Sequence, residues 1–387
     1  MIDAIYTAMS GLQGHERGLS NISSNVANMN TPGFKGSQID FTDVFSGGGS
    51  PGSDGAEGRG LDASHVSLNM AAGETKETGR DLDLAIGGDA FFTLRDETGA
   101  LRYTRNGGFE FDDQGVLVQR GGEMKVQGHD AGGKLVNVTL DGLRSNEPAV
   151  TDEVTLSGNL SSTDTDHAIE ELAVYDALGG KHPLKLAFTN GTGADAGTWL
   201  LTVSEGTVQL GTGKFPFVNG KPTSTSIKLN LALAGTASQE VNFVLDADTT
   251  GFSSGTTSTL ALKKQDGHAA GQITSLTFDE RGVLKIGYSN GQKADGATLV
   301  LAQVHDDGGL VAAGAAVYSY VGNQPPVMRE ASDDLRITAK SIELSNVDLT
   351  SEFSALILMQ RGYQASSQVV STANEMLQQL FEMKGAR

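Results

Sequence analysis

Histidines and carboxylates are the first residues to ask about chemistry, and seven histidines are present: His15, His65, His129, His167, His182, His268 and His305. They are scattered along the chain. No HExxH sets two of them on one helix face for a metal, and no P-loop, GxSxG or GxGxxG keeps them company. The pairs Asp81/Asp83 and Asp112/Asp113 could be imagined as a cation site, but a strand and a turn account for them, and they read as solvated. GGGS at residues 47–50 follows no strand that would make it a phosphate cradle. His182 precedes Pro183 within an alternating segment, a structural setting rather than a catalytic one. Cysteine is absent, which removes disulfides and thiolate metal sites. These residues point away from an enzyme and call for no cofactor or metal.

Recognition by packing is the chemistry that remains, and it is written at the two ends. Near the C-terminus Leu349, Leu356, Tyr363, Val370 and Leu377 recur every seven residues. The companion position runs Phe353, Gln360, Ser367, Asn374, Phe381 and turns polar in the middle. That is a long helix with a narrow apolar seam. Between residues 350 and 381 the only charges are Glu352, Arg361 and Glu375, so its surface is mostly neutral amide and hydroxyl, suited to meeting other protein. Periodicity alone would equally fit an amphipathic helix docked on a nearby domain. The N-terminal end repeats the pattern: Ile5, Leu12, Leu19 and Val26 are seven apart, while Ile2, Met9, Glu16 and Ser23 again decay into polar residues. Gly11, Gly14 and Gly18 each cost about 1 kcal/mol in a helix interior. They weaken this helix alone and permit a close partner. Both ends are expected to order on assembly, recovering the entropy from packing.

Two motifs carry a resemblance to a known family. Residues 19–35, LSNISSNVANMNTPGFK, resemble the N-terminal signature of the axial proteins of the bacterial flagellum, its rod and hook subunits, through Asn25, Ala27, Asn28, Thr31, Gly33, Phe34 and Lys35. Ser24 departs from the family's Asn. Ser345, Asn346, Val347, Asp348 and Leu349, followed by Gln360, Arg361, Tyr363, Gln364 and Ala365, similarly resemble its C-terminal signature. In physical terms, Pro32 disfavours αR at Thr31 and Gly33 can take positive φ, which stops the first helix. Ser345, Asn346 and Asp348 are candidate N-caps for the last, whose first turn is acidic through Asp348 and Glu352.

The middle of the chain is built differently. Glycine numbers 51 in 387 residues and aromatics make up only 6%, the composition of short strands with many turns. Leu82, Leu84 and Ile86 alternate with Asp81, Asp83 and Ala85, and Asn106–Gly107, Gln114–Gly115 and Asn290–Gly291 mark tight turns. The formal charge of −19 argues against nucleic acid, which needs clustered Lys and Arg, and favours solubility. The longest apolar run near the end, residues 355–359, is too short to span a bilayer, and no basic then apolar leader opens the sequence.

The expected fold is mainly β with α-helical termini. Residues 1–28 and 346–387 pair as a coiled-coil-like inner domain, and 29–70 form a linker anchored by Phe34, Phe41 and Phe45. Residues 71–144 and 271–345 make an inner β-domain into which 145–270 are inserted as an outer one. Residues 78–94 and 103–118 resemble the inner β-domain of rod and hook subunits, and the Val174, Tyr175, Asp176, Leu178, Gly179, His182 stretch resembles the outer domain of the hook branch. The resemblance implies a homo-polymer, a curved tube joining rod to filament and passing torque between changing directions. It further implies contact with the hook cap, distal rod and hook-filament junction proteins, and export through the flagellum's own apparatus. A stiff distal-rod subunit is the alternative within the family. A secreted β-rich adhesin or carbohydrate-binding protein is the alternative outside it, since the middle alone would suit one.

Overall fold

The computed structural model describes residues 2–45, 58–253, 257–305 and 309–385. Most of the glycine-rich stretch 47–60 and the Phe45 side chain lie outside the described residues. The chain opens with helix α1 (Ile2–Ala27), passes through a long run of strands and closes with helix α2 (Leu349–Gly385). It divides into two compact units. One holds residues 1–141, 276–286 and 294–387, the other 142–275 and 287–293.

In the first unit the two helices pack against one another, so a mainly β protein does have paired helical ends. The described residues of the stretch expected as a linker, 29–45 and 58–70, include strands. These are β1 (Ser37–Phe45) and β2 (Gly58–Leu68), an antiparallel pair that lies on α1. The residues responsible are small: Gly14 lets the Leu61 side chain sit directly on the helix, and Ser10 Oγ accepts from Leu61 N at 3.2 Å. Glycine content suggests flexibility here, whereas close contact is what the glycine serves.

The rest of this unit is antiparallel sheet in which late strands pair with early ones. Leu301–Gln303 lies beside Ala90–Arg95, Val317–Tyr320 beside Leu101–Thr104, Ile337–Ala339 beside Leu84–Ile86, and Ser341–Glu343 beside Thr75–Glu77. Phe91, Tyr103, Ala302, Leu310 and Tyr318 form a buried cluster between them.

The second unit is a sandwich. Its five-stranded sheet runs Asp166–Tyr175, Lys181–Asn190, Thr198–Glu205, Val208–Val218, Lys221–Pro222, all antiparallel. The four-stranded sheet runs Ser226–Leu231, Gln239–Leu245, Glu153–Ser157, Ala261–Gln265, with one parallel pair at its centre. Alternate side chains point inward: Leu184, Leu186 and Phe188 are fully buried while Pro183, Lys185 and Thr189 are exposed. They meet Trp199, Phe215, Phe243 and Val154 in one apolar core.

Candidate assembly surface and the node beneath it

The helix pair is held by its smallest residues. Buried positions on α1 are Ala8, Gly11, Gly14, Gly18, Ile22 and Asn25. A Cβ on Gly11 would stand 2.8 Å from Ser366 Oγ, and one on Gly18 would stand 2.9 Å from Met359 Sδ. Opposite His15 the arrangement reverses, for the imidazole fills the space that Gly362 leaves open. With Asn25 Nδ2 donating to Glu352 Oε1 at 3.0 Å, these contacts set an antiparallel register. In it residue 11 faces 366 and residue 25 faces 352, so α2 runs past the start of α1 after about residue 376.

The apolar seam expected from the sequence lies elsewhere. Ile5, Leu12, Leu19 and Val26 are half-buried on a flank of α1, not on the face that meets α2. On α2, Leu349, Leu356, Val370 and Leu377 are half-buried, whereas Phe353 and Tyr363 are 54% and 42% exposed. The repeat marks a stripe three residues out of step with the one that packs, since Glu352, Met359, Ser366 and Ala373 also recur every seven residues. The contact stripe is Glu352, Ala355, Met359, Gly362, Ser366 and Ala373, which a search for large apolar residues passes over. Large apolar side chains are left on the flanks and back of α2: Ile357 is 51% exposed, Leu358 67% and Phe381 72%. Tyr6 and Met9 on α1 are 65% and 45% exposed. Gln360, Arg361, Gln364 and Ala365 of the C-terminal motif also face outward.

The N-terminal motif and the start of the C-terminal one converge where the backbone leaves α1 and returns to α2. Asn28 Nδ2 donates to Ser24 O at 2.9 Å, and Thr31 Oγ1 donates to Asn28 Oδ1 at 3.1 Å, which closes the helix end. Only the carbonyl of residue 24 is used, so Ser serves there as well as Asn. Gly33 has φ +70°, and a Cβ on it would overlap the backbone of Arg105 and Asn106. Asn25 is buried and exchanges two hydrogen bonds with the Ser37 backbone, at 2.8 and 3.0 Å. Asn346 ties the return strand, accepting from Gly36 N at 2.8 Å and donating to Asn69 O and Ala71 O at 2.7 and 2.8 Å. Asp348 is the N-cap of α2, its Oδ1 accepting from Thr350 N at 2.9 Å. Val347 and Phe34 are half-buried in the same place, and Ala27 is exposed.

Beneath these lies a charged node that the motif only half announces. Lys35 and Arg105 are each 1% exposed and share one carboxylate, Glu343. Lys35 Nζ is 2.7 Å from Oε1 and Arg105 Nη1 is 3.1 Å from Oε2. Lys35 Nζ also donates to Ala71 O at 2.7 Å, and Arg105 Nη2 to Gly88 O at 2.6 Å, while the Arg105 guanidinium lies over the Phe91 ring. Burial pulls the pKa of Lys35 below the ordinary lysine value, with the bond to Glu343 opposing it, and burial likewise lowers Arg105. Tyr318 Oη accepts from Lys35 N at 2.9 Å. Arg105, Glu343 and Tyr318 belong to neither motif, and no local pattern marks them.

The carboxylates and histidine weighed above are structural as well. Asp83 is not solvated: it is buried and ion-paired with Arg120. Asp81 faces Lys340 at 3.1 Å on the surface, and Asp112 Oδ1 closes a turn by accepting from Val116 N at 2.8 Å. Phe41 lies against Gly14 with its ring 5.9 Å from that of His15. In the second unit His182 stands between Glu205, 2.8 Å from Nδ1, and Asp176, 3.3 Å from Nε2.

Comparison with known proteins decides what the surface belongs to. Residues 5–35 match the family model described as flagella basal body rod protein, 85–161 the flagellar hook protein FlgE/F/G D1 domain, and 338–383 the flagellar basal body rod FlgEFG protein C-terminal. Relatives are similar from end to end. The flagellar hook protein FlgE of Treponema pallidum (strain Nichols) is 26% identical over 479 residues, 99% of this chain and 100% of that one. The chain is similar to flagellar hook proteins over nearly its whole length. A second relative, FlgE of Salmonella typhimurium, is 27% identical over 418 residues, 97% of this chain and 99% of that one. A crystal structure of Helicobacter pylori flagellar hook protein FlgE2 aligns with TM-score 0.49 and 13% identity over 69% of this chain and 100% of that one. That similarity makes the chain a structural subunit of the flagellum rather than an enzyme, one that polymerises. The relatives are named for the hook over nearly their whole length, which sets aside the rod and adhesin alternatives.

Proposed function

We propose that this subunit builds a curved, flexible tube between rod and filament, with its terminal helices as the polymerising element. The observation that carries the reading is the division of labour on α2. Gly362, Ser366 and Ala373 serve contact within the subunit, while Ile357, Leu358 and Phe381 stay half to three-quarters exposed. Apolar area of that size gains roughly 25 cal/mol per Å² when a neighbour covers it. The flank residues Ile5, Leu12, Leu19, Val26, Leu349, Phe353, Leu356, Tyr363, Val370 and Leu377 would then form seams between copies. The acidic β units would make weaker, polar contacts that exchange as the tube turns. A hook cap, distal rod and hook-filament junction proteins are the partners this reading implies at the ends of the tube. The flagellar export apparatus is the implied route to a site outside the cell.

The experiment replaces Leu358 by Asp and, separately, Leu200 of the β sandwich by Asp, both exposed in the single subunit. Leu358→Asp is expected to keep the monomer's circular dichroism and to abolish polymerisation, with Leu200→Asp assembling normally. Normal tubes from Leu358→Asp would sink the reading.

A further inference from the structure

Four Asn–Gly steps occur in the sequence, at Asn106, Asn190, Asn219 and Asn290. Asn–Gly is the step most open to attack of a backbone nitrogen on its own neighbour's carboxamide, because glycine puts no Cβ in the way. Three of the four are held. Asn106 Oδ1 accepts from Gly108 N at 3.0 Å, and Gly107 is buried with Leu84 N bonded to its carbonyl at 2.9 Å. Asn190 Nδ2 donates to Ser162 O and Asp164 O, and Gly191 N is engaged with Thr198 O at 2.9 Å. Asn290 Nδ2 donates to Asn146 Oδ1 and Ala269 O, and Gly291 N is engaged with Tyr288 O at 3.0 Å.

Asn219 differs. It is exposed at the tip of the two-residue turn joining Val208–Val218 to Lys221–Pro222, with φ +52° followed by Gly220 at φ +72°. Among the described residues nothing hydrogen-bonds its carboxamide or the Gly220 N–H. Among the described residues the tip is held on its far side, where Gly251 N donates to Gly220 O at 2.9 Å and the half-exposed Phe252 ring covers the Gly220 Cα, and below it by Thr223, whose N and Oγ1 donate to Pro216 O at 2.8 and 3.0 Å. Two residues paired at the end of a short hairpin open more easily than a packed core.

We infer that Asn219 is a site of spontaneous deamidation and isoaspartate formation in the folded subunit. Gly220 N attacks Asn219 Cγ, a new C–N bond closes a succinimide, and the Cγ–Nδ2 bond breaks to release ammonia. Water then opens the ring at either carbonyl, leaving aspartate or isoaspartate. Both products add one negative charge. The isoaspartate also lengthens the backbone by a methylene between Val218 and Lys221, which are paired across the turn. The outer unit of a long-lived polymer would thus carry a chemical mark of its age.

The test holds the full-length protein in mildly alkaline buffer at physiological temperature, with samples taken for peptide mapping by mass spectrometry and for labelling with protein isoaspartyl methyltransferase. Conversion at Asn219 is expected to outrun that at Asn106, Asn190 and Asn290 by about tenfold or more. In strong urea the four rates are expected to converge, since the fold supplies the difference. Equal rates in the native protein, or a faster loss at any of the other three, would overturn the inference. So would a native Asn219 that stays intact while the other sites convert. The variant Asn219→Gln, which keeps an amide but makes the smaller ring unavailable, is expected to remove the isoaspartate label.

Discussion

Lys35 Nζ and Glu343 Oε1 lie 2.7 Å apart with both side chains almost fully withdrawn from solvent, joining the stretch after α1 to the last strand before α2. Arg105 reaches the other oxygen of the same carboxylate, so one anion answers two buried cations. Glu343→Gln is expected to destabilise the subunit by about 3–5 kcal/mol, the usual result of stranding buried charge. Lys35→Met should cost less, because Arg105 keeps its partner. Urea unfolding of the two variants checks the order; a milder effect for Glu343→Gln would mean that the node is not charge-limited.

The glycines of α1 make a second, opposed prediction. Replacing Gly11 by Ala raises helix propensity by about 1 kcal/mol, yet the added methyl lies 2.8 Å from Ser366 Oγ. We expect a net loss of thermal stability for Gly11→Ala, and recovery when Ser366→Gly is added. A double-mutant cycle measures it; additive effects would separate the two positions.

The β sandwich carries a pH dependence of its own. Both nitrogens of His182 face carboxylates, and only the imidazolium can donate to both. Burial lowers the His182 pKa, but the bonds and charges of Glu205 and Asp176 more than reverse it, so it stands above the ordinary value. Backbone donation from Gly180, with His182, lowers Asp176, and His182 with Ala234 N lowers Glu205 against its burial. A raised histidine stabilises below its unfolded value of about 6.5 and loses that contribution as pH climbs through the folded one. The lowered carboxylates stabilise above about 4 and lose their contribution in acid. Stability of this unit should therefore peak in mildly acidic buffer, between those limits. His182→Gln is expected to flatten the alkaline side of the denaturation profile and to shrink the acid side to what the backbone donors of Gly180 and Ala234 supply.

Deletion of residues 145–270 tests the nesting of the domains. It removes the sandwich core around Trp199 and Phe243 but none of the helix contacts or the Lys35 node. The shortened subunit is expected to fold and polymerise, with bending or handedness changed in electron micrographs. Failure to fold would show that the two parts are not energetically separable.

Much of the fold is legible in the residues, and the illegible part has a common cause. Alternation exposes strands such as Lys181–Asn190 because every second side chain is large or polar in turn. The helices are visible for the same reason, and Pro32–Gly33 shows where the first one stops. Contact faces are not, because helix pairing here depends on Gly11, Gly18 and Gly362, whose contribution is an absence of side chain. Glu343 and Arg105 stand 238 residues apart, and nothing local to either tells that burial will bring them together.

A subunit that turns the small residues of α2 on itself and the large ones outward cannot satisfy its own surface by folding. On the proposed reading, each copy that joins would cover the exposed side chains of the last and present an equal set to the next, a head-to-tail contact with no closing symmetry. Such a polymer has a critical concentration and a perpetually adhesive end. On that reading its length would be fixed by supply, or by a different protein occupying the tip.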